Sequence, residues 1–348
     1  MSKYGIFLPI SSGGWIVSDT APVIDGSYGY NRDAAVAADR LGFDFVMSQA
    51  KWRGYGGRTD HWGRTLESMT MMAGLAEATE RVQIWATTHT ILFNPAIAAK
   101  MFATLDQISG GRAGMNIVVG SYAQEFAQMG MWPKDLDHAD RYRYSEEWVQ
   151  ALLRLWEEES VTLDGEFFSL DDCRSLPQPT PRPTLICAGR SATGLDFQGK
   201  YCDAAFLSAD ELPGLRYVSR EAKAAAERYG RSIETYTMVT VVMDETDAGA
   251  ERRRAQLTEG VDEVALANMA AAYGMQTDPN ATPSAKAQRQ KGFQTEVVAG
   301  SPESVTEQIG HLVDYAELDG LMLVFPDYRS DLAAFGESVL PGLTGIPS

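Results

Sequence analysis

Apolar residues gather in short runs at 4–10, 43–48, 82–88, 114–120, 184–188, 204–208, 235–243 and 321–325, and most of these runs do not alternate with polar positions. A short unbroken run is what a strand buried on both faces requires, as in a parallel sheet covered by helices. Between the runs, segments 31–41, 65–78, 96–108 and 142–156 space their apolar residues three and four apart, the period of an amphipathic helix. Eight such alternations in 348 residues predict an α/β chain folded as a closed (β/α)8 barrel. An open sheet fits less well, because eight strands close around an interior that side chains can fill.

Local punctuation agrees. Ser109-Gly110-Gly111-Arg112 ends a helix in residues that tolerate positive φ, and a strand follows at once. Ser301-Pro302-Glu303 starts the last long helix with a hydroxyl cap, a first-turn proline and an early acid. The tract 176–183, rich in proline, reads as an extended connector. Segment 257–294 is rich in alanine and polar residues and breaks the β/α rhythm. It is expected to be an insertion over the barrel mouth within one domain spanning 1–348.

Composition narrows the function. A net charge of −17 disfavours nucleic acid or an anionic membrane as the main partner, since both demand clustered Lys and Arg. No apolar run reaches the ~20 residues of a membrane span, and the first ten residues lack a secretory layout. Three cysteines, Cys173, Cys187 and Cys202, match neither a disulfide framework nor a zinc knuckle. A soluble cytoplasmic enzyme is the expectation.

In a β/α barrel the chemistry sits at the C-terminal ends of the strands, so the places to search are set in advance. The second run leads into Ser48-Gln-Ala-Lys51-Trp-Arg-Gly-Tyr-Gly-Gly57, the third ends in Thr87-Thr-His89, the fourth contains Asn116 and closes on Gly120-Ser121-Tyr122, and the fifth ends in Ala188-Gly-Arg-Ser191. There is no GxGxxG after the first run, and no GxxxxGK[ST], HExxH or GxSxG anywhere. The four histidines, His61, His89, His138 and His311, are too scattered for a metal site. Hydroxyls, amides and arginines remain, groups suited to holding a polar cofactor. In so acidic a chain a phosphate needs a local cationic fork with hydroxyl or backbone donors. Ser191 at a strand-to-helix turn and Arg141-Tyr142 at a helix entrance are candidates. Ser191 reads equally as a simple helix cap, Thr87 as a β-branched strand residue and Glu125 as an exposed helix acid. Asn116 is harder to dismiss, because an amide inside a buried strand needs a polar partner.

The chain resembles the flavin-dependent luciferase-like monooxygenases, and among them the pyrimidine-oxygenating enzymes of uracil degradation. The likeness runs over nearly the whole chain and is carried by Gly5-Ile-Phe-Leu-Pro-Ile10, Lys51-Trp-Arg-Gly-Tyr-Gly-Gly57, Leu66-Glu-Ser-Met-Thr70, Ser109-Gly-Gly-Arg112, Asn116-Ile-Val-Val-Gly120, Gln128-Met-Gly-Met-Trp-Pro133, Asp172-Cys-Arg174, Ile186-Cys-Ala-Gly189 and Gly300-Ser-Pro-Glu303. The resemblance implies a TIM barrel that takes reduced FMN from a separate flavin reductase, uses O2 as co-substrate and forms a homo-oligomer. It places Ala50 and Lys51 beside the flavin, Asn116 on its ring edge, Glu125 in the cofactor shell, and Arg141, Tyr142 and Ser191 at the phosphate. Thr87 and Asn116 match the pair flanking the edge where dioxygen reacts.

This chain departs from the pyrimidine enzymes near the expected substrate. They carry tryptophan where Ser121 stands, Gln-Lys-Pro in place of Tyr122-Ala-Gln124, and alanine in place of His89. His89 and Ser121 are therefore candidate substrate contacts, and Trp52 is a further candidate as an aromatic wall of the pocket. The expected activity is oxygenation of a small heterocycle such as uracil. The alternatives are the same chemistry on a sulfone, alkanesulfonate or other small molecule, a deazaflavin-dependent oxidoreductase, and a non-catalytic flavin-binding protein.

Overall fold

The computed structural model describes residues 2–120, 122–133, 135–189, 191–272 and 292–345. Eight parallel strands close on themselves: β1 (Lys3–Phe7), β2 (Phe45–Met47), β3 (Gln83–His89), β4 (Ala113–Val118), β5 (Thr184–Ala188), β6 (Ala204–Leu207), β7 (Glu234–Met243) and β8 (Gly320–Val324). Each pairs with the next, and β8 pairs with β1 to shut the ring. These are the eight predicted runs. Helices α1 (Tyr28–Leu41), α2 (Ser68–Ala78), α3 (Pro95–Ser109), α4 (Ala123–Ala127), α5 (His138–Glu157), α6 (Ala192–Tyr201), α7 (Leu212–Arg228), α8 (Asp247–Glu259), α9 (Glu263–Ala272), α10 (Pro302–Ala316), α11 (Asp331–Ser338) and α12 (Leu340–Thr344) complete the described helical elements.

Helix ends follow local chemistry. Asn94 caps α3 by accepting from Ala96 N, Pro95 opens it, and Gly110 closes it in the left-handed region at φ 66°. Ser301 caps α10 in the same manner, as expected from its sequence. Two features were not predicted. Residues Val161–Asp164 and Ser169–Cys173 form an antiparallel hairpin, and Glu296–Gly300 adds a strand along the far half of β7. Segment 257–294 begins inside α8 and includes α9; its residues 273–291 lie outside the described part.

Two layers of the barrel interior decide where a site can form. Near the N-terminal end, Phe45 and Trp85 stack with ring centroids 3.9 Å apart, and both meet Phe206 and Tyr236. Glycines make the room: a Cβ at Gly5 would lie 2.3 Å from Phe45, and one at Gly114 2.3 Å from Trp85. Below this plug, carboxylates take the free N–H groups that begin parallel strands. Asp44 accepts from Tyr4 N at 2.7 Å, Asp203 from Leu185 N at 2.9 Å and Asp319 from Thr235 N at 2.8 Å. Above the plug the polar residues Thr87, His89 and Asn116 join apolar ones such as Phe7, Val118 and Met238 around an open space.

Candidate active site

Two cavities stand out among the described residues, and chemistry separates them. A cavity of about 770 Å³ at the N-terminal end is bordered by Asp44, Asp203 and Glu234. Those carboxylates are committed: Asp44 and Asp203 cap strands, Asp203 also pairs with Arg182 at 2.7 Å, and Glu234 with Lys3 at 2.6 Å. The other, of about 880 Å³, lies at the C-terminal mouth, and the predicted residues Ala50, Lys51, Thr87, His89, Asn116 and Glu125 line it.

Thr87 and Asn116 face each other in register across β3 and β4. Asn116 Nδ2 donates to Thr87 Oγ1 at 2.9 Å, and that hydroxyl donates to Ser48 O. Thr87 N donates to Ser68 Oγ at 3.0 Å, and Ser68 Oγ lies 2.6 Å from Ser48 Oγ, so Ser68 links the Thr87 backbone to the Ser48 side chain. The one atom left over is Asn116 Oδ1, a buried acceptor with no partner among the described residues. An unmet buried acceptor is costly, so this wall offers an acceptor to a hydrogen-bond donor entering the cavity.

Lys51 is buried with its Nζ 3.1 Å from Glu125 Oε2, and it lies 4.5 Å from the ring centres of both Tyr55 and Tyr122. Burial lowers the ammonium pKa, and the Glu125 charge works against that shift. Glu125 Oε1 also accepts from Trp52 N, and Gln128 Nε2 donates to Trp52 O at 2.7 Å. Glu125 is therefore no exposed helix acid; it fastens α4 to the loop after β2. Trp52, a candidate substrate contact, is tied down through its backbone. His89 lines the cavity beside Thr87, with its ring edge-on to Phe126 at 5.0 Å. Burial, reinforced by the Lys51 charge, pushes its pKa down to about 3, so the ring is neutral at physiological pH.

Farther along the mouth, Ser191 caps α6 by accepting from Gly194 N at 3.1 Å. A Cβ on Gly194 would stand 2.8 Å from Tyr142 Oη and 3.1 Å from Ser191 Oγ, so the glycine keeps these two hydroxyls together around a small recess. Burial raises the Tyr142 phenol pKa, opposed by its hydrogen bond with Ser191 and the charge of Arg141. Arg141 itself donates to Leu136 O at 3.1 Å and stacks on Trp132 at 5.1 Å. Ser121 lies outside the described residues.

Sequence reasoning missed much of the wall: Phe7, Trp15, Gln49, Trp62, Met269 and Phe293. Three segments are laced together to make it. Trp62 Nε1 donates to Gly14 O at 2.6 Å, Thr59 N to Asp262 at 2.8 Å, and Asn268 Nδ2 to Tyr55 O at 2.8 Å. Only Gln49 had a local signal, next to Ala50 at a strand end. Among the described residues no group of His, Cys, Asp and Glu could hold a metal ion, and no helix is long and apolar enough to cross a membrane.

This architecture has relatives. Residues 2–317 match the model of the family described as luciferase-like monooxygenase. The chain is 36% identical to the pyrimidine monooxygenase RutA of Acinetobacter baylyi, over 98% of this chain and 95% of that one. It is 37% identical to RutA of Escherichia coli, over 98% and 91%. Among solved structures, a riboflavin lyase described with modified FMN superposes with a TM-score of 0.87 at 21% identity, covering 100% of this chain and 93% of the other, which shows the shared fold. With a closed eight-stranded barrel of this kind, the match places the chain in the luciferase-like monooxygenase family.

Proposed function

We propose that this protein is the oxygenase of a two-component system, using reduced FMN from a separate flavin reductase and O2 to oxygenate a small pyrimidine-like heterocycle such as uracil. The observation that carries the reading is Asn116, whose amide nitrogen is spent on Thr87 while its oxygen waits, buried, for a donor. A reduced isoalloxazine ring carries N–H donors and fits that acceptor. The Tyr142–Ser191 recess at the start of α6, with Arg141 nearby, fits a phosphate.

In this reading Ala50 and Lys51 hold FMN mainly through their backbone, together with Asn116, Glu125, Arg141, Tyr142 and Ser191. When bound and reduced, FMN supplies the two electrons that let O2 give one oxygen atom to substrate and the other to water. The chain provides the setting. Thr87 and Asn116 keep fixed dipoles at the reacting edge, and Lys51 adds a positive charge that Glu125 holds in place. Trp15, Trp62 and Phe293 keep bulk water away. The same reading takes 1–348 as one domain with 257–294 inserted over the mouth, and the protein as a cytoplasmic homo-oligomer.

The pyrimidine assignment is supported by the two RutA relatives. The test is photoreduced FMN, oxygen and uracil with the purified protein, followed by mass spectrometry. A gain of one oxygen atom or ring opening is expected. Flavin binding without product from uracil or related heterocycles overturns the pyrimidine reading, and steady NADH oxidation by the protein alone overturns the two-component one.

A further inference from the structure

β3 sends Thr87 and His89 into the same cavity, because residues two apart on a strand share a face. Their ladder partners are Asn116 and Val118. Thr87 is hydrogen-bonded on both sides, whereas His89 is not: its Nδ1 is buried and has no partner among the described residues. The rest of the ring packs edge-on to Phe126, an apolar contact that cannot satisfy a nitrogen. The charge that acts on His89 is that of Lys51, already paired with Glu125.

We propose that His89 is a specificity-determining residue whose unpartnered ring nitrogen, one rung above the Thr87–Asn116 pair, hydrogen-bonds the N–H or C=O of a lactam or imide edge on a neutral substrate. The proposal rests on the reading of this cavity as the substrate site. A neutral imidazole holds one N–H and one bare nitrogen and can exchange them. A lactam presents a donor and an acceptor side by side, so one of its groups meets whichever tautomer is present. An anion gains nothing from this ring, since the imidazole is uncharged and the nearby ammonium is compensated. The flat walls of Trp15, Trp62 and Phe293 suit a flat ring.

The test is calorimetric binding of uracil, 2-pyridone and succinimide to the FMN-loaded protein, with methanesulfonate as anionic control, comparing wild type with His89→Phe, His89→Ala and His89→Gln. The expected result is about tenfold weaker lactam or imide binding in His89→Phe and His89→Ala, substantial recovery in His89→Gln, and FMN affinity unchanged within twofold. His89→Ala and His89→Gln keep the test open where His89→Phe does not fold. Equal lactam affinity in wild type and His89→Ala overturns the proposal, as does wild type that binds none of the three probes or prefers methanesulfonate. Oxygenation of uracil without any dependence on His89 sinks this inference and leaves the proposed function standing. His89-dependent binding without an oxygenated product does the reverse.

Discussion

Two buried histidines give the fold a measurable acid sensitivity. His61 is fully buried, stacks on Trp62 and meets Gln294 through Nε2 at 2.9 Å, while its Nδ1 has no partner among the described residues. Burial lowers its pKa from an ordinary 6.5 to about 4, against the opposing charge of Asp262, and His89 is lowered to about 3. Between those values and 6.5 the unfolded chain binds the protons that the folded chain refuses. Stability therefore rises with pH across this window and is lost as pH falls from about 6.5 toward 4 and 3. At pH 5 each histidine lies roughly 1.5 pH units below its unfolded value, a loss of about 2 kcal/mol apiece and about 4 kcal/mol together. With an unfolding entropy of roughly 2.1 cal/mol/K per residue, that is a fall of about 5 °C in Tm between pH 7 and pH 5. The assay is thermal unfolding at pH 7, 6 and 5 for wild type and for His61→Gln/His89→Gln. The other titrating groups are common to both proteins and cancel in the comparison of slopes, whatever the double variant's absolute stability. An equal loss of Tm between pH 7 and pH 5 in the double variant and wild type would refute the role of these two histidines.

Substitutions at four positions test the site. Asn116→Ala is expected to weaken FMN binding about tenfold or to divert oxygen into free hydrogen peroxide; a flavin titration and a peroxide assay measure these, and unchanged coupled turnover denies Asn116 its role. Ser191→Ala is expected to weaken FMN by at least tenfold while riboflavin affinity stays within twofold, and equal loss for both ligands would leave Ser191 a helix cap only. Glu125→Leu alone leaves the Lys51 ammonium buried and unpaired, at a cost of about 3–5 kcal/mol, whereas Lys51→Met/Glu125→Leu is expected to recover most of it. Urea unfolding of the four members of that cycle reads the coupling, and additive losses would show that the pair does not act as a unit.

The barrel was legible because its signal is local. A strand covered by helices must be apolar on both faces, and each of the eight runs reappears within a few residues of its predicted bounds. The first run overshoots: β1 ends at Phe7, while the apolar Leu8 and Ile10 continue into the loop. The hairpin at Val161–Asp164 and Ser169–Cys173 escaped notice because its positions are mostly polar and partly exposed. The added strand Glu296–Gly300 makes sense only beside the far half of β7.

The site divides in the same way. Asn116 announced itself, since an amide amid buried apolar neighbours must have a polar purpose, and the turn before α6 marked Ser191 by its spacing alone. Pattern and motif by themselves determined the strand count, the end of the barrel that carries chemistry and the family resemblance. Only the tertiary structure paired Lys51 with Glu125, 74 positions away, left Asn116 Oδ1 and His89 Nδ1 without partners among the described residues, and gathered Trp15, Trp62 and Phe293 into one wall. Periodicity reports which face of an element is buried. Whether a buried polar atom finds a partner depends on groups brought from distant parts of the chain, and no local pattern encodes that.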